Sequence, residues 1–187
     1  MTDSCRVRPA TDQDIASIQQ IYAWHVLHGI ATFEEVVPEG EQMRERFRTI
    51  TAQGYPYIVA EKNGEIVGYA YVSSFRPRIA YRYTVENAIY LRHDLGRMGV
   101  GSLLLNELIR LCEAGPWRQM IAVIGNSANT ASIGVHRKAG FEMIGTLPAT
   151  GFKHGQWVDT VLMQRALSGG SQTPPDATHT GSVTATK

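Results

Sequence analysis

Apolar and polar residues alternate along this chain in two rhythms, and the changes of rhythm mark its elements. Arg6-Val7-Arg8-Pro9 reads as a short first strand. Behind it, Thr11 and Asp14 have the spacing of a capping box, Ile15, Ile18 and Tyr22 recur at helical intervals, and Gly29 supplies the stop. A second, more polar helix runs from Glu39 to Ala52 with Met43, Phe47 and Ile50 on one side. Tyr57 to Glu61 and Ile66 to Val72 then flank Asn63-Gly64, the residue pair best suited to a two-residue hairpin turn. Thr84 to Leu91 is a β-rich run, after which Leu104, Leu108, Leu111 and Cys112 return to helical spacing. Met120 to Ile124 is short and continuously apolar, as a strand covered on both faces would be. Asn129 to Ala139 fits a helix stopped by Gly140, and Trp157 to Met163 fits a closing strand.

The resulting order, β-α-α-β-β-β-α-β-α-β-β, joins an antiparallel meander to strand-turn-helix crossovers. It predicts an α/β fold with one mixed, mostly antiparallel sheet covered by helices on both faces. With 187 residues, 43% of them apolar, the chain can bury one substantial core, so a single domain is expected over residues 1–167. From Ser168 to Lys187 the composition turns to Gly, Ser, Thr and Pro with almost no large apolar side chain, which predicts a disordered tail.

Charge narrows the partners. The net charge is +1 and the 18 Lys and Arg are scattered, so no nucleic-acid footprint is present and a small-molecule or protein substrate is expected. The start of the chain is polar and no apolar run approaches a membrane span, which predicts a cytoplasmic protein with no membrane partner. Cys5 and Cys112 lie far apart without metal-ligand spacing, as a terminal thiol and a packed core thiol would.

Chemistry enters after the Thr84 to Leu91 strand. Gly96, Gly99 and Gly101 allow backbone angles and close approaches that a Cβ would block, and the helix behind them presents unpaired N–H groups and a positive dipole end. A phosphate suits such a place. Further on, Asn129, Ser132 and His136 form a polar stripe on one helix face. Glu86 stands in a strand otherwise built of Thr, Val, Asn, Ala, Ile, Tyr and Leu, on the same face as Ala88 and Tyr90. An amine arrives as ammonium at neutral pH and must lose a proton before it can attack, so a carboxylate so placed reads as a base.

The stretch Ile89 to Leu105 resembles the acetyl-CoA motif of the GNAT superfamily, in which Gln or Arg precedes x-x-G-x-G/A at a strand-to-helix turn. Asn129 to Phe141 resembles that superfamily's second block, with His136 in place of the usual Tyr. Gly96 stands where Gln or Arg is usual, which removes one polar contact to the pyrophosphate; backbone N–H groups and Arg97 remain to supply the cradle. The chain is further similar, from about Arg6 to Leu167, to the phosphinothricin and methionine sulfoximine N-acetyltransferase family. That similarity rests on Ala31-Thr32-Phe33, Phe75 to Asn87, Ala122-Val123-Ile124-Gly125 and Gly151 to Trp157.

The resemblance implies a GNAT acyl-CoA N-acyltransferase fold, acetyl-CoA as co-substrate without a metal, a small-molecule amine as acceptor and a homodimer. It implies Glu86 as general base and His136 as a second catalytic residue, either protonating the CoA thiolate or relaying the amine's proton. Ile89, Leu91, Arg97, Met98, Gly99, Val100, Gly101, Ser102, Asn129 and Ser132 would hold the coenzyme. Phe33, Arg76, Arg78 and Tyr81 would bind the acceptor; if extended, Arg76 and Arg78 project the same way and can clamp acidic groups. Two alternatives stand beside this reading: an acetyltransferase for arsinothricin or for protein and peptide amines, and a non-catalytic acyl-CoA sensor.

Overall fold

The computed structural model describes residues 4–176. Strand β1 (Arg6–Pro9) leads through a 3-10 turn (Asp12–Asp14) into α1 (Ile15–His28), followed by α2 (Gly40–Ala52) and the hairpin β2 (Tyr57–Lys62) and β3 (Glu65–Ser74). A second 3-10 turn (Ile79–Tyr81) precedes β4 (Thr84–Leu91), α3 (Val100–Glu113), β5 (Gln119–Gly125), α4 (Thr130–Lys138), β6 (Glu142–Lys153) and β7 (Gln156–Ala166). The expected order of strands and helices is reproduced, and the local signals behind it are visible. The Asp14 carboxylate accepts from the Thr11 N–H at 2.8 Å and takes both terminal nitrogens of Arg8 at 2.8 Å. That guanidinium holds the Asp14 pKa below the usual carboxylate value. Asn63 and Gly64 both adopt positive φ, 51° and 78°, as a two-residue hairpin turn requires.

One seven-stranded sheet runs β1-β2-β3-β4-β5-β7-β6. Every neighbouring pair is antiparallel except β4 and β5, which are parallel because α3 carries the chain between them. Alternation sends Ile58, Ala70, Val72, Val85, Met120, Ala122 and Val161 into one core with Leu104, Leu105, Leu108 and Cys112 of α3. The other face packs Tyr57, Val59 and Tyr69 against Ile15, Ile18, Tyr22 and Val26 of α1 and Met43 and Phe47 of α2. Helices therefore cover both faces, α1 and α2 on one and α3 and α4 on the other.

Strand β6 is the element the sequence pattern does not locate. Most of its side chains are exposed, and two register shifts against β7 interrupt any alternation. Within the stretch expected to be disordered, residues 168–176 form turns beside Arg118, whose guanidinium donates to the Thr173 carbonyl at 2.8 Å and the Pro174 carbonyl at 3.3 Å. Residues 177–187, and the polar start Met1–Asp3, lie outside the described residues. No helix among the described residues is long and apolar enough to cross a membrane.

Candidate active site

The parallel pairing of β4 with β5 covers only Thr84 to Asn87 against Gln119 to Ala122. Beyond Asn87 the two strands part. The Thr84 carbonyl accepts from the Phe75 N–H and the Arg92 N–H donates to the Val67 carbonyl, so even-numbered main-chain groups of β4 face β3. Odd-numbered groups face the other way, and those of Ile89 and Leu91 open onto the gap. The Leu91 carbonyl accepts from His25 Nε2 at 2.7 Å.

The gap is a cleft of about 270 Å³ that penetrates the sheet. Side chains alternate across it. Glu86 shares a face with its cross-strand partner Ser73 and with Tyr90, toward α1 and α2, while Asn87 shares the α3 and α4 face with Val85. Both line the cleft, with Val123 of β5 and with Asn129, Ser132 and His136 of α4. The expected polar stripe thus borders the gap on one side of the sheet and Glu86 borders it on the other.

Glu86 is half-buried and has no hydrogen-bond or ion-pair partner among the described residues. Burial pushes its pKa above the ordinary carboxylate value, because taking the charged form out of water is unfavourable and no cation compensates. Across the sheet, burial lowers the pKa of His136.

At the end of β4 the chain turns through the glycines. Gly96 has φ 64° and Gly99 has φ 74°, and Gly99 forms the N-cap of α3 without any side-chain cap. The first N–H groups of α3, from Val100, Gly101 and Ser102, therefore have no side chain closing them off, beside exposed Arg97 and Met98. At α4 the opposite holds: the Asn129 side chain caps its helix by accepting from the Ser132 N–H at 3.2 Å.

A strap from Ile30 to Phe33 crosses the α1 and α2 side of the cleft. Ala31, Thr32 and Phe33 line it. Its position explains two motif glycines, since a Cβ on Gly125 would sit on the Ile30 carbonyl and one on Gly151 would fall 2.5 Å from the Phe33 ring. Buried Lys153 fixes the strap from below, donating to the Thr32 carbonyl at 2.7 Å and to the His25 carbonyl at the end of α1 at 3.3 Å. Lys153, Thr32, Tyr71 and Asn87 are site residues that sequence reasoning did not single out. The only signal was their place inside apolar or motif-rich runs, where a polar side chain needs a partner.

Arg76, Arg78 and Tyr81 do not join this cluster. The chain bends at residues 77–78 into the 3-10 turn, and Arg76 lies over the rings of Phe75 and Tyr81, 5.1 and 5.8 Å from their centroids. This loop leaves β3 one residue past Ser74 and enters β4 two residues before Glu86, so it joins the strand ends that carry Ser73 and Glu86.

A sheet split between two parallel strands, with an uncapped glycine-led helix on one side and a lone carboxylate on the other, is the architecture of an acyl-CoA-dependent transferase. The chain belongs to the GNAT acetyltransferase family, whose domain matches residues 7–162. It is 50% identical over 173 residues to a phosphinothricin N-acetyltransferase of Alcaligenes faecalis, covering 92% of this chain and 88% of that one. It is 38% identical over 165 residues to an L-methionine sulfoximine/L-methionine sulfone acetyltransferase of Pseudomonas aeruginosa, covering 88% and 95%. In fold it is similar to a GNAT superfamily phosphinothricin acetyltransferase from Sinorhizobium meliloti crystallised with acetyl-CoA, with a TM-score of 0.91 and 47% identity over 96% of this chain and 97% of the other. The protein is accordingly an N-acetyltransferase of this branch of the family.

Proposed function

We propose that this enzyme transfers the acetyl group of acetyl-CoA directly to the α-amine of a small amino acid analogue of the phosphinothricin or methionine sulfoximine type, with Glu86 as general base. The observation that carries the proposal is the unpartnered, half-buried Glu86 carboxylate at the parting of β4 and β5, on the face opposite α3 and α4. Acetyl-CoA approaches from the α3 and α4 side. Its pyrophosphate meets the N–H groups of Gly99, Val100, Gly101 and Ser102, with Arg97 and Met98 at the turn. Its pantetheine follows the open edge of Ile89 and Leu91, between β4 and the Asn129 and Ser132 stripe.

From the strap side the amine reaches the thioester through the gap. Phe33 forms one wall, and Arg76, Arg78 and Tyr81 at the rim engage the acidic groups of the acceptor. Glu86 takes a proton from the ammonium, the nitrogen attacks the thioester carbonyl, and a main-chain N–H of β4 steadies the oxyanion. His136 flanks the departing sulfur. Direct transfer asks for no acyl-enzyme, and neither cysteine lines the cleft.

A thiol-release assay with acetyl-CoA and a panel of free amino acids, including phosphinothricin, methionine sulfoximine and methionine sulfone, tests the reading. Amine-dependent release with these acceptors is expected. Tight coenzyme binding without such release would leave a sensor, and preference for a peptide would move the substrate class.

Gly96 offers a check on the coenzyme placement. A Cβ there meets nothing within 4 Å, but φ is 64°, so a side chain carries a backbone cost of about 1 kcal/mol. Gly96→Arg is expected to lower the KM for acetyl-CoA while lowering the melting temperature by a few degrees. An unchanged KM would mean that the backbone cradle suffices alone.

The same reading makes the enzyme a cytoplasmic homodimer. Strand β6 is a sheet edge of 12 residues with Ile144 and Leu147 exposed, and Trp157 on the adjoining strand is 70% exposed. An edge this long and apolar favours pairing with a second copy. Light scattering on the eluting protein should give the mass of two chains, and Ile144→Lys the mass of one; a monomeric wild type rules the dimer out.

A further inference from the structure

His136 and Asn87 face each other between α4 and β4, both buried, with 4% and 8% of their surface exposed. His136 Nδ1 lies 2.8 Å from the Ser132 carbonyl one helical turn earlier. A carbonyl only accepts, so Nδ1 carries a proton. Nε2 lies 3.3 Å from the Asn87 carboxamide.

Which end of that carboxamide faces the ring decides the charge on His136. With oxygen toward Nε2, the ring needs a second proton and becomes an imidazolium. No carboxylate among the described residues touches it. Glu86 is on the opposite face of the sheet, Arg137 and Lys138 of α4 are exposed, β5 and β7 contribute Val123, Ile124 and Thr160 to this cleft, and Phe141 meets the ring edge-on at 5.0 Å. In that orientation Asn87 Nδ2 is also buried without a partner. A half-turn of the carboxamide exchanges its ends and removes the need for a buried imidazolium, because Nδ2–H then donates to the lone pair of a neutral ring, and an acceptor instead of a donor takes the unpartnered position.

We infer that Asn87 is a positioning residue whose Nδ2–H donates to Nε2 of His136, locking the ring as the neutral Nδ1–H tautomer and tying α4 to β4 where β4 and β5 part. Both ring nitrogens are then engaged, and His136 has no proton to give the coenzyme. Burial, which lowers the imidazole pKa, acts in the same direction.

For the transfer proposed above, on which this mechanistic consequence rests, the proton balance changes as follows. Glu86 removes the first proton from the ammonium. The N–C bond forms to give the oxyanion, the C–S bond breaks as the carbonyl re-forms, and a proton on the attacking nitrogen passes to the departing sulfur. Glu86 returns its own proton to solvent. His136 holds the wall of the gap in register throughout.

The ring state can be read without turnover, so the test separates this inference from the acetyl-transfer reading. In full-length protein labelled with 15N-histidine, the His136 resonances, identified by their loss in His136→Gln, should show Nδ1 protonated and Nε2 unprotonated from pH 6.5 to 8.5. An imidazolium or an Nε2–H tautomer at pH 7 overturns the inference. Asn87→Asp replaces a donor with an acceptor and should draw a proton onto Nε2, giving an imidazolium at pH 7; a ring left unchanged in a folded variant means that Asn87 does not set it. The pH profile of kcat supplies the kinetic counterpart. An alkaline limb in the wild type that vanishes in His136→Gln would make His136 the acid and sink the proposal.

Discussion

Glu86→Gln should lower turnover about a hundredfold near neutral pH, the scale on which a positioned base acts, while raising the melting temperature. The two effects have one origin. Burial lifts the folded-state pKa of Glu86 above its unfolded value. A group shifted this way contributes stability that is complete below the unfolded pKa and is lost as pH rises through the folded pKa. At pH 7 the ionised carboxylate therefore opposes folding, and glutamine relieves it. The stabilisation should shrink as pH is lowered through that window, where wild-type Glu86 becomes neutral. Activity follows the opposite course, falling as the base protonates. Steady-state kinetics and melting curves from pH 4.5 to 8 on both proteins check this; unchanged turnover would remove Glu86 as the base.

Gly125→Ala is expected to raise the KM for the amine ten- to a hundredfold with little change in acetyl-CoA affinity. The added methyl would meet the Ile30 carbonyl, a main-chain atom that no rotamer can move aside, so the strap must shift. Displacing a substrate wall by about an ångström costs up to this much in rate. Gly151→Ala makes a useful companion, since its Cβ meets the Phe33 ring, which is free to swing, and should cost less. With acetyl-CoA proposed on the other face of the sheet, calorimetry without amine should find its binding intact. An acceptor KM that stays put would detach the strap from substrate binding.

Much of this architecture was legible because its signals are local. The Thr11 and Asp14 cap, the Asn63-Gly64 turn and the glycine stop at Gly140 each act within a few residues, and the structure places element ends close to where they fall. Glu86 was legible for a related reason: a carboxylate within a strand of apolar and β-favouring neighbours conflicts with its surroundings. What the sequence could not display is what depends on distant residues meeting. Asn87 reads as an ordinary strand residue until His136, 49 positions away, stands against it. Lys153 reads as a solvated hairpin charge until it turns inward to Thr32, 121 positions away. Arg76 and Arg78 read as an extended pair, whereas the chain bends at residues 77–78 into the 3-10 turn that follows, which local alternation does not display.

Cys112 lies fully buried on the inner face of α3, and burial pushes its thiol up to about 12, while Cys5 is partly covered and also raised. Thiolates, not thiols, react with disulfide dyes and alkylating reagents. Cys112 is thus shielded from such reagents in the native protein, which leaves Cys5 as the one thiol they can reach. Sulfhydryl that goes on appearing in a reaction mixture then belongs to the freed coenzyme, so acetyl transfer can be counted continuously over a fixed background of at most one catalyst thiol per chain.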